Sequence, residues 1–347
     1  MNKRRSRIVI IIFLVCLVAV FCFSVVARGR VKVDSGYRVV MGTFARVVAV
    51  AKNSNKAHSS IQAAFAEIEK VDELMSDYKS DSEISRINRD GFKRAVEVSE
   101  STYQVLQRSV EFSKLTGGAF DITVGPLVDL LRSAEKNGAA PSKDEIARAK
   151  MKVGFEKLQL DAENRTVKFA VEGMRLDLGG IAKGYAIDKA VEAMQKCGAS
   201  GGMVDIGGDI RCFGTPPKGR DHWLIGVQDP NVTNDDIGTG QLLSTLKLTN
   251  AAVATSGGYR RFVLIDGKKY SHIIDTNRGG SASELASVTI ISKDAISADA
   301  LATAISVMGS ERGLALIEKM PETEAILISS QPGFKLIKTS GAEPYIK

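Results

Sequence analysis

The sequence predicts an α+β fold, with helices packed on mixed, largely antiparallel sheets behind one N-terminal apolar segment. Three observations carry this. Five short runs in the second half, 223–227, 242–248, 251–255, 260–265 and 285–291, alternate or stay apolar between turn signals, as antiparallel strands do. Helical stripes precede them, with Ile61, Phe65, Ile68, Val71 and Met75 on one face and Ile187, Val191 and Met194 on another. Composition is globular, 44% hydrophobic and 25% charged, and no repeat or low-complexity tract breaks the chain into separate units.

Lys3, Arg4, Arg5 and Arg7 form a basic flank, residues 1–7, ahead of the apolar run 8–27, whose one polar interruption is Ser24. Twenty residues of helix span roughly 30 Å, a bilayer core, and the positive flank keeps the cytoplasmic side, sending the rest across the membrane. Val25-Val26-Ala27 is a passable cleavage site, but the run is long for a signal peptide, so an uncleaved anchor is expected. Cys16 and Cys22 follow Val15 and Phe21, unlike a bacterial lipoprotein cysteine. Four of the cations behind the net charge of +7 belong to this flank, so the charge is mostly topogenic and no nucleic-acid partner is expected. Cys197 and Cys212 lack metal-ligand spacing and read as free or buried thiols.

Residues 28–36 read as a linker and 37–347 as one domain. The stretch 37–51, YRVVMGTFARVVAVA, is a long strand or hairpin interrupted at Met41-Gly42-Thr43, a glycine kink or a bulge with a role. A helix follows at 57–75, with His58 solvated, then a polar loop, MSDYKSDSEISRIN, in which Tyr78 is the one aromatic able to stack on a flat ring. A second helix around Tyr103, Leu106 and Val110 stops at Gly117-Gly118, and Phe120-Asp121 sits on the turn beyond. A surface helix is expected within 137–152, and a hairpin from 158–160 and 166–170.

The stretch 176–188, LDLGGIAKGYAID, reads as a strand, two glycines and a helix that stops at Cys197-Gly198. Gly179 and Gly180 can take positive φ or admit a ligand against the main chain, and the helix start favours phosphate, with Lys183 adding a point charge. A plain tight turn is the alternative. In SADALAT, Asp299 and Thr303 are four apart and share a helical face, offering two hard oxygens to magnesium; the alternative is capping, with Ser297 as N-cap. His272, flanked by Ser271 and Asp275 at a strand end, is either a base near neutral pH or a structural histidine. The turn 254–259, ATSGGY, binds phosphate or simply turns the chain. No Walker A loop, Gly-x-Ser-x-Gly elbow or zinc signature is present.

Taken in order, these blocks resemble the ApbE family, the FAD:protein FMN transferases. MGTF at Met41, SDYKSDSEISRIN around Tyr78, GGAFDITVGPLV at Gly117, LDLGGIAKGYAID, VDIGGDI at Val204, ATSGGYRRF, SHIID and SADALAT follow the family order. The resemblance implies a T-fold-like domain and a magnesium-dependent reaction. FAD is split at its pyrophosphate, FMN is joined to a threonine of a flavoprotein subunit of redox-pump or respiratory type, and AMP leaves. It implies FAD contacts from Met41, Tyr78, Ala119, Phe120, Asp121, Asp177, Lys183 and Ile273, metal ligands from Asp299, Thr303 and the Gly180 carbonyl, and His272 as base. Two departures stand out. Thr276 replaces the usual Pro and should change turn stiffness; Ala302 replaces an acid of some members and should weaken metal binding or leave one ion instead of two. With the anchor, this points to the periplasmic face of a bacterial inner membrane. The rival readings are a magnesium-dependent FAD pyrophosphatase and a non-catalytic FAD-binding module.

Overall fold

The computed structural model describes residues 29–347 apart from 218, 231–241, 259–261, 266–267, 272, 277 and 332–334. The anchor run, residues 231–241 between two of the expected strands, and His272 itself therefore lie outside the described residues. Among the described residues no helix is long and apolar enough to cross a membrane.

A hairpin opens the fold. β1 (Val31–Val40) and β2 (Thr43–Ala51) are joined by Met41 and Gly42, both at positive φ (49° and 67°), the geometry of a two-residue hairpin turn. The glycine interruption is this turn, and most of the expected linker is strand, because Val31 to Asp34 pair with Ala51 to Val48. α1 (Ser54–Met75) starts at Asn53, whose side chain accepts the Lys56 N–H. α2 (Glu83–Asp90) occupies part of the expected polar loop: Ser82 caps it, and the helical turn lets Ile84 and Ile87 both reach the core. β3 (Val96–Glu97) leads to α3 (Glu100–Thr116), which Gly117 ends in the left-handed conformation. α4 (Gly125–Asn137) and the exposed α5 (Lys143–Lys150) precede the expected hairpin of β4 (Leu158–Asp161) and β5 (Thr166–Phe169).

No strand precedes Gly179. Residues 176–178 run as irregular chain, with the Asn88 amide serving as their pairing partner. Its Nδ2 donates to the Leu176 carbonyl (3.1 Å) and its Oδ1 accepts the Leu176 N–H (2.7 Å). The chain then enters α6 (Ala182–Lys196), whose Ile187, Val191 and Met194 are buried as expected.

β6 (Gly201–Ile206) and β7 (Asp209–Gly214) make a tight hairpin, and β8 (Trp223–Gln228) pairs antiparallel with β9 (Leu242–Leu248). β10 (Ala251–Gly257), β11 (Phe262–Ile265), β12 (Lys268–Ser271), β13 (Ile274–Asp275), β14 (Gly280–Ser281) and β15 (Leu285–Ser292) follow. α7 (Ala295–Met308) begins a turn earlier than Ser297 suggested. Asp294 is its N-cap and accepts the Ser297 N–H, because Ala295 and Ile296 are buried and gain by joining the helix. α8 (Ser310–Ile317), β16 (Glu324–Ser329) and β17 (Leu336–Lys338) complete the chain.

Eight strands form one antiparallel sheet in the order β1-β2-β6-β7-β10-β15-β16-β17. Its strands alternate between two cores. Ala45, Val47 and Ala49 face the helical layer of α1, α6 and α7, whereas Val48 and Val50 face the β8–β9 hairpin through Trp223, Ile225 and Leu246. A third cluster joins Leu127 and Leu131 of α4 to Ile265 and Ile274, setting Ile274 beside the helix that follows the Phe120 turn. Cys197 and Cys212 are both free, and burial pushes the Cys212 thiol up, out of reach of easy ionisation.

Candidate active site

The sheet and helical layer deliver their polar groups to one end. The β6–β7 turn lies beside the β1–β2 hairpin, where the Gly207 N–H donates to the Phe44 carbonyl (2.8 Å). Asp209, the first residue after that turn, meets Lys183 in the first turn of α6. Lys183 also reaches Asp299 of α7 (3.3 Å), so one ammonium stands between two buried carboxylates. Burial works to lower the Lys183 pKa, but Asp209 and Asp299 outweigh it and hold the ammonium charged. Asp299 is pushed up to about 6 by burial, with Asp209 adding to the shift and Lys183 opposing it.

Asp299 also changes what the helix mouth can do. Its Oδ2 accepts the Gly184 N–H (3.0 Å), and the N–H groups of Ala182 and Tyr185 are already spent on Leu178 and Ile181. A protein carboxylate thus takes a helix-start donor that the sequence reading assigned to phosphate. Nor do Gly179 and Gly180 have positive φ. Their glycine identity answers to space: a Cβ on Gly180 would lie 2.9 Å from Thr303 Oγ1 and 3.4 Å from Phe120 Cε2. Gly180 thus packs against Thr303, one helical turn beyond Asp299; carboxylate, hydroxyl and backbone carbonyl are the oxygen types that suit a small hard cation. Among the described residues no three His, Cys, Asp or Glu side chains gather as a metal cluster. Ala302, in place of an acid, is fully buried in the helical core.

Around this centre, Phe120 is buried edge-on to Phe112 (6.2 Å, 76°) beside Ala119. Both Asp121 oxygens are used locally: Oδ1 accepts from the Thr123 N–H and hydroxyl, and Oδ2 from the Phe155 N–H. Burial raises its pKa while those bonds pull it down, and its evident work is to set the turn that carries Phe120. Asp177 Oδ1 accepts the Gly179 N–H (2.8 Å); burial raises its pKa too. Tyr78 is 81% exposed, an open ring held by Arg132, which donates to its hydroxyl (2.8 Å) and lies over its face (5.2 Å). Met41 is half-buried at the hairpin turn.

His272 is not described, but its neighbours are. Ile273 is buried, its N–H donating to the Ser271 hydroxyl (3.1 Å), and the Thr276 hydroxyl donates to the Gly118 carbonyl (2.8 Å). That bond gives Thr276 a means of fixing the turn that the usual proline would fix by its ring.

Sequence reasoning missed Asp209, Arg132, Arg175 and Asn88. Arg175 bridges Asp77 (2.7 Å) and Asp129 (2.8 Å), tying the Tyr78 loop to α4. It also missed that Asp188 of α6 caps α7, accepting the N–H groups of Ala295 and Ile296 while paired to Arg211 (2.7 Å).

Comparisons with known proteins agree on one relationship. The ApbE family model matches residues 41–327. The chain is 33% identical over 282 residues to the FAD:protein FMN transferase of Vibrio cholerae, covering 80% of this chain and 82% of that protein. Against the protein of the same name from Treponema pallidum it is 32% identical over 337 residues, 93% and 90% of the two chains. Among solved structures, the ApbE protein of Thermotoga maritima superposes with a TM-score of 0.79 at 30% identity, over 92% of this chain and 99% of that one. The flavin transferase ApbE from Vibrio cholerae gives 0.77 at 29%, over 91% and 99%.

Proposed function

Because the chain belongs to the ApbE family and is a flavin transferase that draws on FAD, we propose that it moves FMN from FAD onto a threonine hydroxyl of a flavoprotein, releasing AMP with magnesium's help. The observation that carries this is the meeting of Gly180, Thr303, Asp299, Lys183 and Asp209 at one end of the sheet. Oxygen donors and a charged lysine side by side are what a diphosphate bridge needs. Tyr78, Met41, Ala119, Phe120 and Ile273 supply apolar and aromatic surface for FAD, while Asp177 and Lys183 face its polar groups.

In the proposed reaction the threonine oxygen bonds to the FMN phosphorus, the bond from that phosphorus to the oxygen shared with AMP breaks, and AMP departs with the electron pair. His272 takes the threonine proton. Asp299, Thr303 and the Gly180 carbonyl would hold the cation, which would supply positive charge for the phosphate oxygens. Asp121 and Thr276 keep the flanking turns in place. The reading extends to location: the 8–27 run anchors the chain, with this domain on the extracytoplasmic face of a bacterial inner membrane, and the acceptor is a redox-pump or respiratory subunit.

His272→Ala tests the chemistry. The variant is expected to keep FAD binding and to lose the mass increase of one FMN on a co-incubated acceptor. FMN released to water at the same rate with or without acceptor would instead identify a pyrophosphatase, and FAD left intact with magnesium would identify a binding module.

A pH dependence follows from Asp299. With its carboxyl pushed up to about 6, magnesium competes with a proton below that value. Affinity measured by calorimetry is expected to be flat above about pH 6 and to weaken up to about tenfold per unit below it. An affinity unchanged at pH 5 would remove Asp299 from the ligand set.

A further inference from the structure

The two ends of the β1–β2–β6–β7 strands differ in what they carry. The turn end holds Met41, Asp209 and the start of α6, and α1 climbs to the same end before the Tyr78 loop. The opposite end is basic and exposed: Arg30, Lys32, Lys52, Lys56, Lys196 and Arg220, with Asp221 the exposed acid beside them among the described residues. Asp34, further along β1, is already paired with Arg46. Ten residues of β1 separate the ends by roughly 30 Å at about 3.3 Å per residue.

That basic end is also where the chain enters. The Arg30 guanidinium donates to the Thr215 hydroxyl (3.0 Å) and the Pro216 carbonyl (3.4 Å), and Val31 pairs with Ala51. The chain is thus fixed to the sheet within three residues of Ala27, a reach of roughly 10 Å. This is close to the distance over which charges are felt in physiological salt.

We infer that this basic end rests on anionic phospholipid headgroups of the membrane that the 8–27 run enters. The inference rests on the anchor reading above. Lipid charge and a short, tethered entry act together, so the domain stands on the bilayer with its flavin end roughly one β1 length away from it. A long flexible tether would have left orientation free; here three residues and six cations restrict it. FAD and the acceptor threonine are met at that height, facing away from the lipid.

The full chain in vesicles tests this, with a dye on a single introduced cysteine in an otherwise cysteine-free background and an energy acceptor on the lipid headgroups. Asn55→Cys marks the basic end and Ser80→Cys the flavin end; both positions are exposed. In vesicles containing phosphatidylglycerol, energy transfer is expected to be several-fold greater from position 55. The difference should collapse in pure phosphatidylcholine and in the combined variant Lys52→Glu, Lys56→Glu, Lys196→Glu, which should still flavinylate a soluble acceptor. Equal transfer from the two positions in anionic vesicles, or a difference indifferent to lipid charge and to the three reversals, overturns the inference alone. A chain that does not float with the vesicles overturns the anchor reading instead.

Discussion

Asp299→Asn is expected to cut FMN transfer about a thousandfold, a loss of ~4 kcal/mol in transition-state stabilisation, while leaving the fold intact or slightly firmer. Asparagine keeps the shape and an oxygen for the Gly184 N–H but gives up the charge that we propose binds a cation. Lys183 remains neutralised by Asp209. The stability effect has a definite sign. A carboxyl raised from 3.8 to about 6 costs the fold nothing below pH 4 and its full amount above pH 6. The variant's thermal midpoint should therefore match the parent's near pH 4 and equal or exceed it at pH 7.5. Retained transfer, or a midpoint well below the parent's at neutral pH, would show that Asp299 is a structural acid.

Gly184→Ala should damage stability and activity together. In a helix interior the exchange ordinarily gains about 1 kcal/mol. Here the new methyl group would stand 2.3 Å from the Ala295 carbonyl oxygen and 2.7 Å from Ile296 Cα, both backbone atoms unable to swing aside. α6 and α7 must separate, at a cost of about 1–3 kcal/mol or roughly 2–5 °C in thermal midpoint. The separation also parts Lys183 from Asp299, and an ångström of misplacement can cost about a hundredfold in rate. Gly280→Ala, whose methyl group meets open space, is the control and should change neither. A Gly184→Ala chain as stable as the parent would mean that the helices are not locked by this contact.

Local periodicity made much of the fold legible. The buried stripe of Ile187, Val191 and Met194, the stop at Gly117 and the alternating strands all follow from side-chain spacing and turn chemistry. The Asp299–Thr303 face was legible for the same reason, since four positions along a helix bring two side chains together. Contacts between distant segments were not. Asn88 holds Leu176 across 88 positions, Arg132 holds Tyr78 across 54, and Asp209 meets Lys183 across 26; no local pattern encodes any of them. Gly180 was flagged for the right identity and the wrong cause, because spacing reveals a glycine but not what crowds it. Ser297 looked like a cap because serine often is one; Asp294, three positions earlier, does the same chemistry where Ala295 and Ile296 make a longer helix favourable.

The single ammonium shared by Asp209 and Asp299 leaves that cluster of two carboxylates and one lysine with one negative charge in excess. On the proposed reading this sets an order of loading: a dinucleotide arriving first would be met by like charge, and a divalent ion would reverse that sign. Flavin traffic would then be throttled by free magnesium before it is limited by FAD.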